Sequence, residues 1–162
     1  MASALFLNKT MDLTIPVGDT ILNIRAVVLV KVRGGYLFER HLKDGYYYAV
    51  GGRVQINESS ADSAVRELKE EINIDIKAED LKLKAVIENF FGIEKERVHE
   101  IGFVYSLDLE NDKHLISLND LQLSDRIKII KLEEMKDEDI RPTIIREIIE
   151  ADSEFIHVVN RG

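Results

Sequence analysis

Glu67, Glu70 and Glu71 stand at i, i+3 and i+4 in a stretch whose apolar residues, Ala61, Ala64, Val65, Leu68 and Ile72, repeat with helical period. On a wheel of ~100° per residue with Ala61 at zero, the apolar set spans about 60° on one side and 40° on the other. The three glutamates fall at roughly 240°, 180° and 280°, beside that stripe. Like charges at this spacing oppose helix formation by ~0.2–0.5 kcal/mol per pair. They also occupy the last turn, where the helix dipole favours cations. Two local preferences are broken at one place, and a hard divalent cation held through oxygen is the natural compensation. The competing reading is a solvated acidic face relieved by Arg66 and Lys69.

The elements that must position these side chains follow from pattern. Ile21 to Val32 is a nearly continuous run rich in β-branched residues, as expected of a central strand covered on both faces. Arg33-Gly34-Gly35 turns the chain into Tyr36 to Arg40, and Tyr46 to Val50 then runs into Gly51-Gly52. The helix covers about Ser59 to Ile72. Leu81 to Phe91 and Val98 to Leu109 read as two long strands joined by the charged turn Gly92 to Arg97, and Arg126 to Leu132 reads as another. Pro142 opens a late helix that buries Ile144, Ile145, Ile148 and Ile149, and Phe155 to Val159 is a last strand. This order predicts an α+β chain with a mixed sheet between helices. Residues 1–10 read as a flexible N-terminal extension, with Met11 an alternative start, and residues 11–162 as one domain.

Composition narrows the classes. The chain has 162 residues, 45% apolar, with no cysteine, no tryptophan and two prolines. A chain of this length should bury about 68–70% of the surface it exposes when unfolded, so it needs no staples. Without cysteine there is no disulfide framework, thiolate zinc site or cysteine nucleophile, which fits a reducing cytoplasm. The only N-terminal apolar run, Met1 to Leu7, is too short for a membrane span or a signal segment. Thirty acidic against 22 basic side chains give a net charge of −8, which disfavours nucleic-acid binding through clustered Lys and Arg. A nucleotide could still bind through a cation held by the acids.

From Gly52 the chain reads GRVQINESSADSAVRELKEEINI. This resembles the signature of the Nudix hydrolases, G-x5-E-x7-R-E-U-x-E-E-x-G-U, with U a bulky aliphatic residue. Gly52, Glu58, Arg66, Glu67, Leu68, Glu70, Glu71 and Ile74 match at the required spacing. Asn73 stands where the family has glycine, and asparagine is the next most tolerant residue for a left-handed helix cap. Val50 replaces a common proline, and Gln55 a common acid or histidine. Arg25, the strand from His99 to Phe103, Pro142 and His157-Val158-Val159 extend the similarity over roughly residues 11 to 160.

The resemblance implies a Nudix-type α/β/α sandwich with a mixed β-sheet. It also implies hydrolysis of a nucleoside diphosphate linked to a further group, with Mg²⁺ or Mn²⁺ and water. By the same resemblance Glu67, Glu70, Glu71 and the Gly52 carbonyl are metal ligands, and Arg66 holds the Glu67 carboxylate. Glu58 is a ligand, an Arg66 partner or a favourable charge near the start of the helix. The general base is Glu67 or Glu100, with Glu94 and Glu96 as further candidates. Arg25, Tyr48 and Phe90 are candidate substrate contacts; Phe90 stands near where dinucleoside-polyphosphate hydrolases of the family carry a tyrosine. The proline of the ADP-ribose subgroup and the NADH and coenzyme A signatures are absent, as is the cysteine of the isopentenyl diphosphate isomerase branch. The alternative is a nucleotide-sensing module without turnover. Family members are often homodimers, an expectation by analogy.

Overall fold

The structure, a computed structural model, describes residues 11–94, 96–110 and 126–162; the extension expected over residues 1–10 lies outside the described residues. Eight strands form one sheet: β1 (Thr14–Val17), β2 (Thr20–Val32), β3 (Gly35–Arg40), β4 (Tyr47–Arg53), β5 (Lys82–Phe91), β6 (Arg97–Asp108), β7 (Ile127–Ile130) and β8 (Ile156–Arg161). Their order is β7-β3-β4-β2-β6-β5-β8, with β1 added alongside β2. The β2–β6 and β5–β8 pairs are parallel and the others antiparallel, so the sheet is mixed as expected.

Alternation along the strands divides the core in two. Ala26, Val28, Val30 and Val32 of β2 pack on one face with Ala64, Leu68 and Ile72 of helix α1 (Ser60–Ile72). Val27 and Leu29 face the other way, toward Ile145 and Ile148 of helix α2 (Ile144–Glu150). That layering is the sandwich the residue pattern predicted. No helix among the described residues is long and apolar enough to cross a membrane.

Several boundaries differ from the pattern reading. β1 was not anticipated: its four residues, Thr-Ile-Pro-Val, are too few to show alternation, and Pro16 is tolerated because the strand lies on an edge. β7 is shorter than the expected Arg126 to Leu132, and β8 begins after Phe155, which is half exposed. Pro142 precedes α2 instead of sitting in its first turn. The helix is only seven residues long, so Ile145 and Ile148 face the core while Ile144 and Ile149 remain partly covered.

α1 is bounded as its sequence requires. The Ser59 side chain accepts a hydrogen bond from the Asp62 N–H at 3.0 Å and caps the start. At the other end Asn73 adopts φ 52° and ψ 31°, and the Asn73 and Ile74 N–H groups return to the Lys69 and Leu68 carbonyls at 3.2 Å. Asparagine thus performs the left-handed cap in place of glycine.

Candidate active site

α1 lies across β4 and β2 with its acidic edge against the Gly51-Gly52 segment of β4. A Cβ on Gly52 would run into the Glu67 carboxylate, so only glycine lets that carboxylate lie against the strand backbone. Gly51 meets a related demand from the other side: a Cβ there would stand 2.6 Å from the Val27 Cα, and its φ of 150° also favours glycine. The Gly-Gly pair therefore lets β4 approach both the neighbouring strand and the helix.

Arg66 ties the acids together. Its Nε and Nη2 donate to the two oxygens of Glu58 at 2.8 and 3.0 Å, a bidentate fork, while Nη1 donates to Glu67 Oε1 at 2.7 Å and more weakly to Glu70 Oε2 at 3.4 Å. Nη2 also reaches the Arg53 carbonyl at 3.0 Å, which anchors the guanidinium to the end of β4. Glu58 accepts the Gln55 N–H at 3.0 Å as well. The Arg66 hydrogen bond, and after it that backbone N–H, hold the Glu58 carboxyl below the ordinary glutamate range despite its burial. In the other direction these contacts raise the Arg66 guanidinium further above its ordinary value. Of the readings open for Glu58, the geometry favours the partner of Arg66.

Glu71 has a different environment. Its Oε2 accepts the Gly51 N–H at 3.2 Å, yet burial, and then the charges of Glu39 and Glu67, push its carboxyl up to about 7. Glu70, its side chain 59% exposed, faces solvent.

The sequence pattern does not single out Glu39, which is 1% exposed. Its neighbours Leu37 and Phe38 belong to the α1-side and α2-side cores respectively, so alternation puts Glu39 on the α1 side, level with Tyr48 in the β3–β4 register. Burial raises its carboxyl, opposed by a hydrogen bond with Tyr48 and the charge of Arg126 and reinforced by Glu67. Among the described residues its Oε2 has no hydrogen-bond partner. Glu39 stands between Phe38 and Arg40 near the end of the strand, so its sequence neighbours give no signal of its burial.

These donors suit a hard divalent cation: every one is oxygen, and one buried carboxylate oxygen is unpaired. Among the described residues no three acidic or imidazole groups already converge as a cage. The physical reason is on view, since Arg66 draws Glu67 and Glu70 to one side while the Gly51 N–H takes Glu71.

A cleft of about 760 Å³ opens beside Glu71, lined mainly by residues on the α2 side of the sheet. Arg25 and Tyr48 line it, as does Glu100. The Tyr46 ring stacks on His41 at 4.7 Å and carries the Arg141 guanidinium 4.6 Å from its centroid, forming one wall of the cleft; of these, His41 and Arg141 were not anticipated from the sequence.

Four candidates, Glu100, Glu94, Glu96 and Phe90, are not brought to Glu67. Glu100 pairs with Asn23 of β2 whereas Gly52 pairs with Ala26, three residues along and across two strand spacings, which puts their Cα atoms about 14 Å apart. Alternation also turns Glu100 to the α2 side, away from Glu67. Glu94 and Glu96, before β6, lie farther out at the same end. Phe90 packs elsewhere: its ring lies 4.4 Å from His99 with Arg161 over it at 4.6 Å, and Asn89 and Phe91 take the cleft-facing positions.

The model of the NUDIX domain matches residues 20–151. Among solved structures, the MutT protein from Methanosarcina mazei Go1 is 20% identical, with 80% of this chain and 91% of that one covered at a TM-score of 0.57. The MutT protein from Bacillus halodurans is 18% identical, with 83% and 89% covered at 0.61. The Ap4A hydrolase of C. elegans is 18% identical, with 80% and 94% covered at 0.55. At these identities the likeness concerns the fold. No curated protein matches the chain.

Proposed function

The chain belongs to the NUDIX family, and from that premise we propose that it hydrolyses the diphosphate linkage of a nucleoside diphosphate-X substrate, such as a nucleoside triphosphate, with Mg²⁺ or Mn²⁺. The observation that carries this reading is the seating of Glu67 against Gly52 with Arg66 bridging Glu67 to Glu58, beside a half-buried Glu71 whose carboxyl is raised. Glu67 and Glu71 lie against the same Gly51-Gly52 segment, and carboxylates brought this close repel unless a cation joins them.

In this reading Glu67, Glu70, Glu71 and the Gly52 carbonyl hold the cation, and Arg66 fixes the Glu67 carboxylate. When bound, the cation supplies Lewis acidity, neutralising phosphate charge and making water more acidic. Glu67, the best-positioned acid at the strand, accepts the proton from the attacking water. Arg25, which donates to the Gly51 carbonyl at 3.4 Å, orients substrate beside the carboxylates, and Tyr48 lines the same cleft.

The test is release of phosphate or pyrophosphate from a nucleotide panel, with and without Mg²⁺, by the protein and by Glu71→Gln. The reading predicts turnover that requires the cation and collapses in the variant. Activity that survives a strong chelator, or is equal in the variant, would overturn the metal assignment. Tight Mg²⁺-dependent nucleotide binding without turnover would instead favour the sensing module.

A further inference from the structure

The far end of the cleft has a feature with no part in the carboxylate chemistry. Asn23 of β2, Glu100 of β6, Asn89 of β5 and Asn160 of β8 are successive register partners, so they form one row across four adjacent strands. Their alternation neighbours Val27, Val104, Ile87 and Val158 belong to the α2-side core, which places the whole row on the cleft side of the sheet. Asn23 and Asn89 are each only 7% exposed. Four polar side chains in register beside an apolar core demand hydrogen-bond partners.

The row has a direction. Asn160 Nδ2 donates to Asn89 Oδ1 at 2.7 Å, and Asn89 Nδ2 donates to Glu100 Oε1 at 3.5 Å. A carboxylate only accepts, so it dictates that Asn89 turns its NH₂ toward Glu100, and therefore its oxygen toward Asn160. Glu100 is thus the acceptor terminus of an oriented chain, with its second oxygen left over. Next to it the floor is hollow: Arg25, Gly102 and Ile87 are register partners, and a Cβ at Gly102 would find nothing nearer than the Ile87 Cβ at 3.8 Å. Arg25 Nε and Asn23 Oδ1 are buried without hydrogen-bond partners among the described residues. Phe91, two residues beyond Asn89 on the same face, is 44% exposed and offers a ring face at the rim.

We propose that this row reads the edge of the substrate's base, with Glu100 accepting from two adjacent N–H donors, so that the cleft selects a guanine-type edge. A carboxylate takes two parallel N–H donors in a bidentate pair. Among the common bases guanine presents a ring N–H next to an exocyclic amino group, whereas uracil flanks its single N–H with two carbonyl oxygens that the carboxylate repels. Glu71 and Glu100 line the same cleft, so one extended nucleotide can lay its base on the row and carry its phosphates toward the Glu71 end. Glu100 in this role is a specificity residue and not a general base.

The inference rests on the nucleotide-hydrolase reading, and the experiment separates the two. Steady-state constants are measured for guanosine, inosine, adenosine and uridine triphosphates in Mg²⁺, alongside calorimetric binding of the guanosine and inosine monophosphates, for the protein and for Glu100→Gln. Inosine lacks only the exocyclic amino group. The expected result is a KM for guanosine triphosphate at least ~10-fold below that for inosine triphosphate. In Glu100→Gln that ratio falls to about 1, with kcat kept within a few-fold. The monophosphates should show the same ratio, so the inference can be judged even if no triphosphate is turned over, an outcome that would count against the hydrolase reading alone. Equal affinity for the two monophosphates overturns the inference. So does a Glu100→Gln variant whose kcat falls equally for every base at unchanged KM, which would make Glu100 part of the chemical step.

Discussion

The two faces of the sheet carry polar groups in opposite ways. On the α1 side Glu58, Arg66, Glu67, Glu70 and Glu71 come from fourteen consecutive positions and are mostly charged, with one guanidinium binding Glu58, Glu67 and Glu70. On the α2 side Asn23, Glu100, Asn89 and Asn160 come from four strands and carry a single formal charge among them. A helix brings together residues three and four apart, whereas a sheet brings together residues whose only relation is register. The first arrangement suits chemistry that must concentrate charge on a cation. The second suits recognition, where donors and acceptors are laid out across a width. On this division, substitutions on the α1 side should change rate and metal dependence while leaving base preference alone.

The largest expected effect is at Glu67. Glu67→Gln keeps the shape and removes the proton acceptor, and kcat should fall by ~10²–10⁴-fold with the ratio of KM values among bases unchanged. A change in that ratio would show that the two faces are not separate. Next is Arg66→Lys. Lysine cannot make the fork to Glu58 while also reaching Glu67. We expect ~10–100-fold weaker Mn²⁺ binding by calorimetry and a loss of about 1.5–3 kcal/mol in urea unfolding. Retained affinity would mean that Arg66 is only a structural pair.

The same contrast explains what could be seen in the sequence. The clustering of Glu67, Glu70 and Glu71 along α1 was legible because a helix converts i, i+3, i+4 spacing directly into proximity, and Asn73 was expected at the left-handed cap because it stands at the signature's glycine position. The central strand Ile21 to Val32 was legible because its apolar run is long. Glu39 was not, since nothing local tells that an acid in β3 will face α1 near Glu71. Nor was the row, because Asn89 and Asn160 are related only through the parallel β5–β8 pairing. Phe90 and Phe91 are adjacent in sequence, and only the register decides which of them reaches the cleft.

A smaller effect concerns protons. Glu71 has a carboxyl raised from 4.5 to about 7 in the folded protein, first by burial and then by Glu39 and Glu67. A carboxyl raised on folding favours the native state fully below its unfolded value, and that contribution is lost as pH climbs through the folded value. In a chelator the melting temperature should therefore decline between about pH 4.5 and pH 7. Glu71→Gln should flatten this decline, as should saturating Mg²⁺, which replaces the proton as the partner of the charge. Parallel melting curves for the protein and the variant across that window would remove the acidic face from this account.

The smallest effect distinguishes neighbours. Phe90 lies on the side of β5 away from the cleft, between the His99 ring and the Arg161 guanidinium, while Phe91, 44% exposed, lines the cleft. Truncating Phe91 to leucine removes an aromatic face but leaves apolar cover. Stacking of a base on an aromatic side chain contributes ~1–3 kcal/mol, so Phe91→Leu should raise KM by about 5-fold or more for every base alike, with little change in kcat or stability. Phe90→Leu should do the reverse, lowering the melting temperature through lost ring contacts while leaving KM within about 2-fold. The comparison with the row is then direct: Phe91 contributes affinity without choice, because every base has a ring face, and Glu100 contributes choice, because only some bases have the right edge. A KM effect at Phe90 and none at Phe91 would mean that the base lies on the opposite side of β5, and the reading of the α2 face would have to be abandoned.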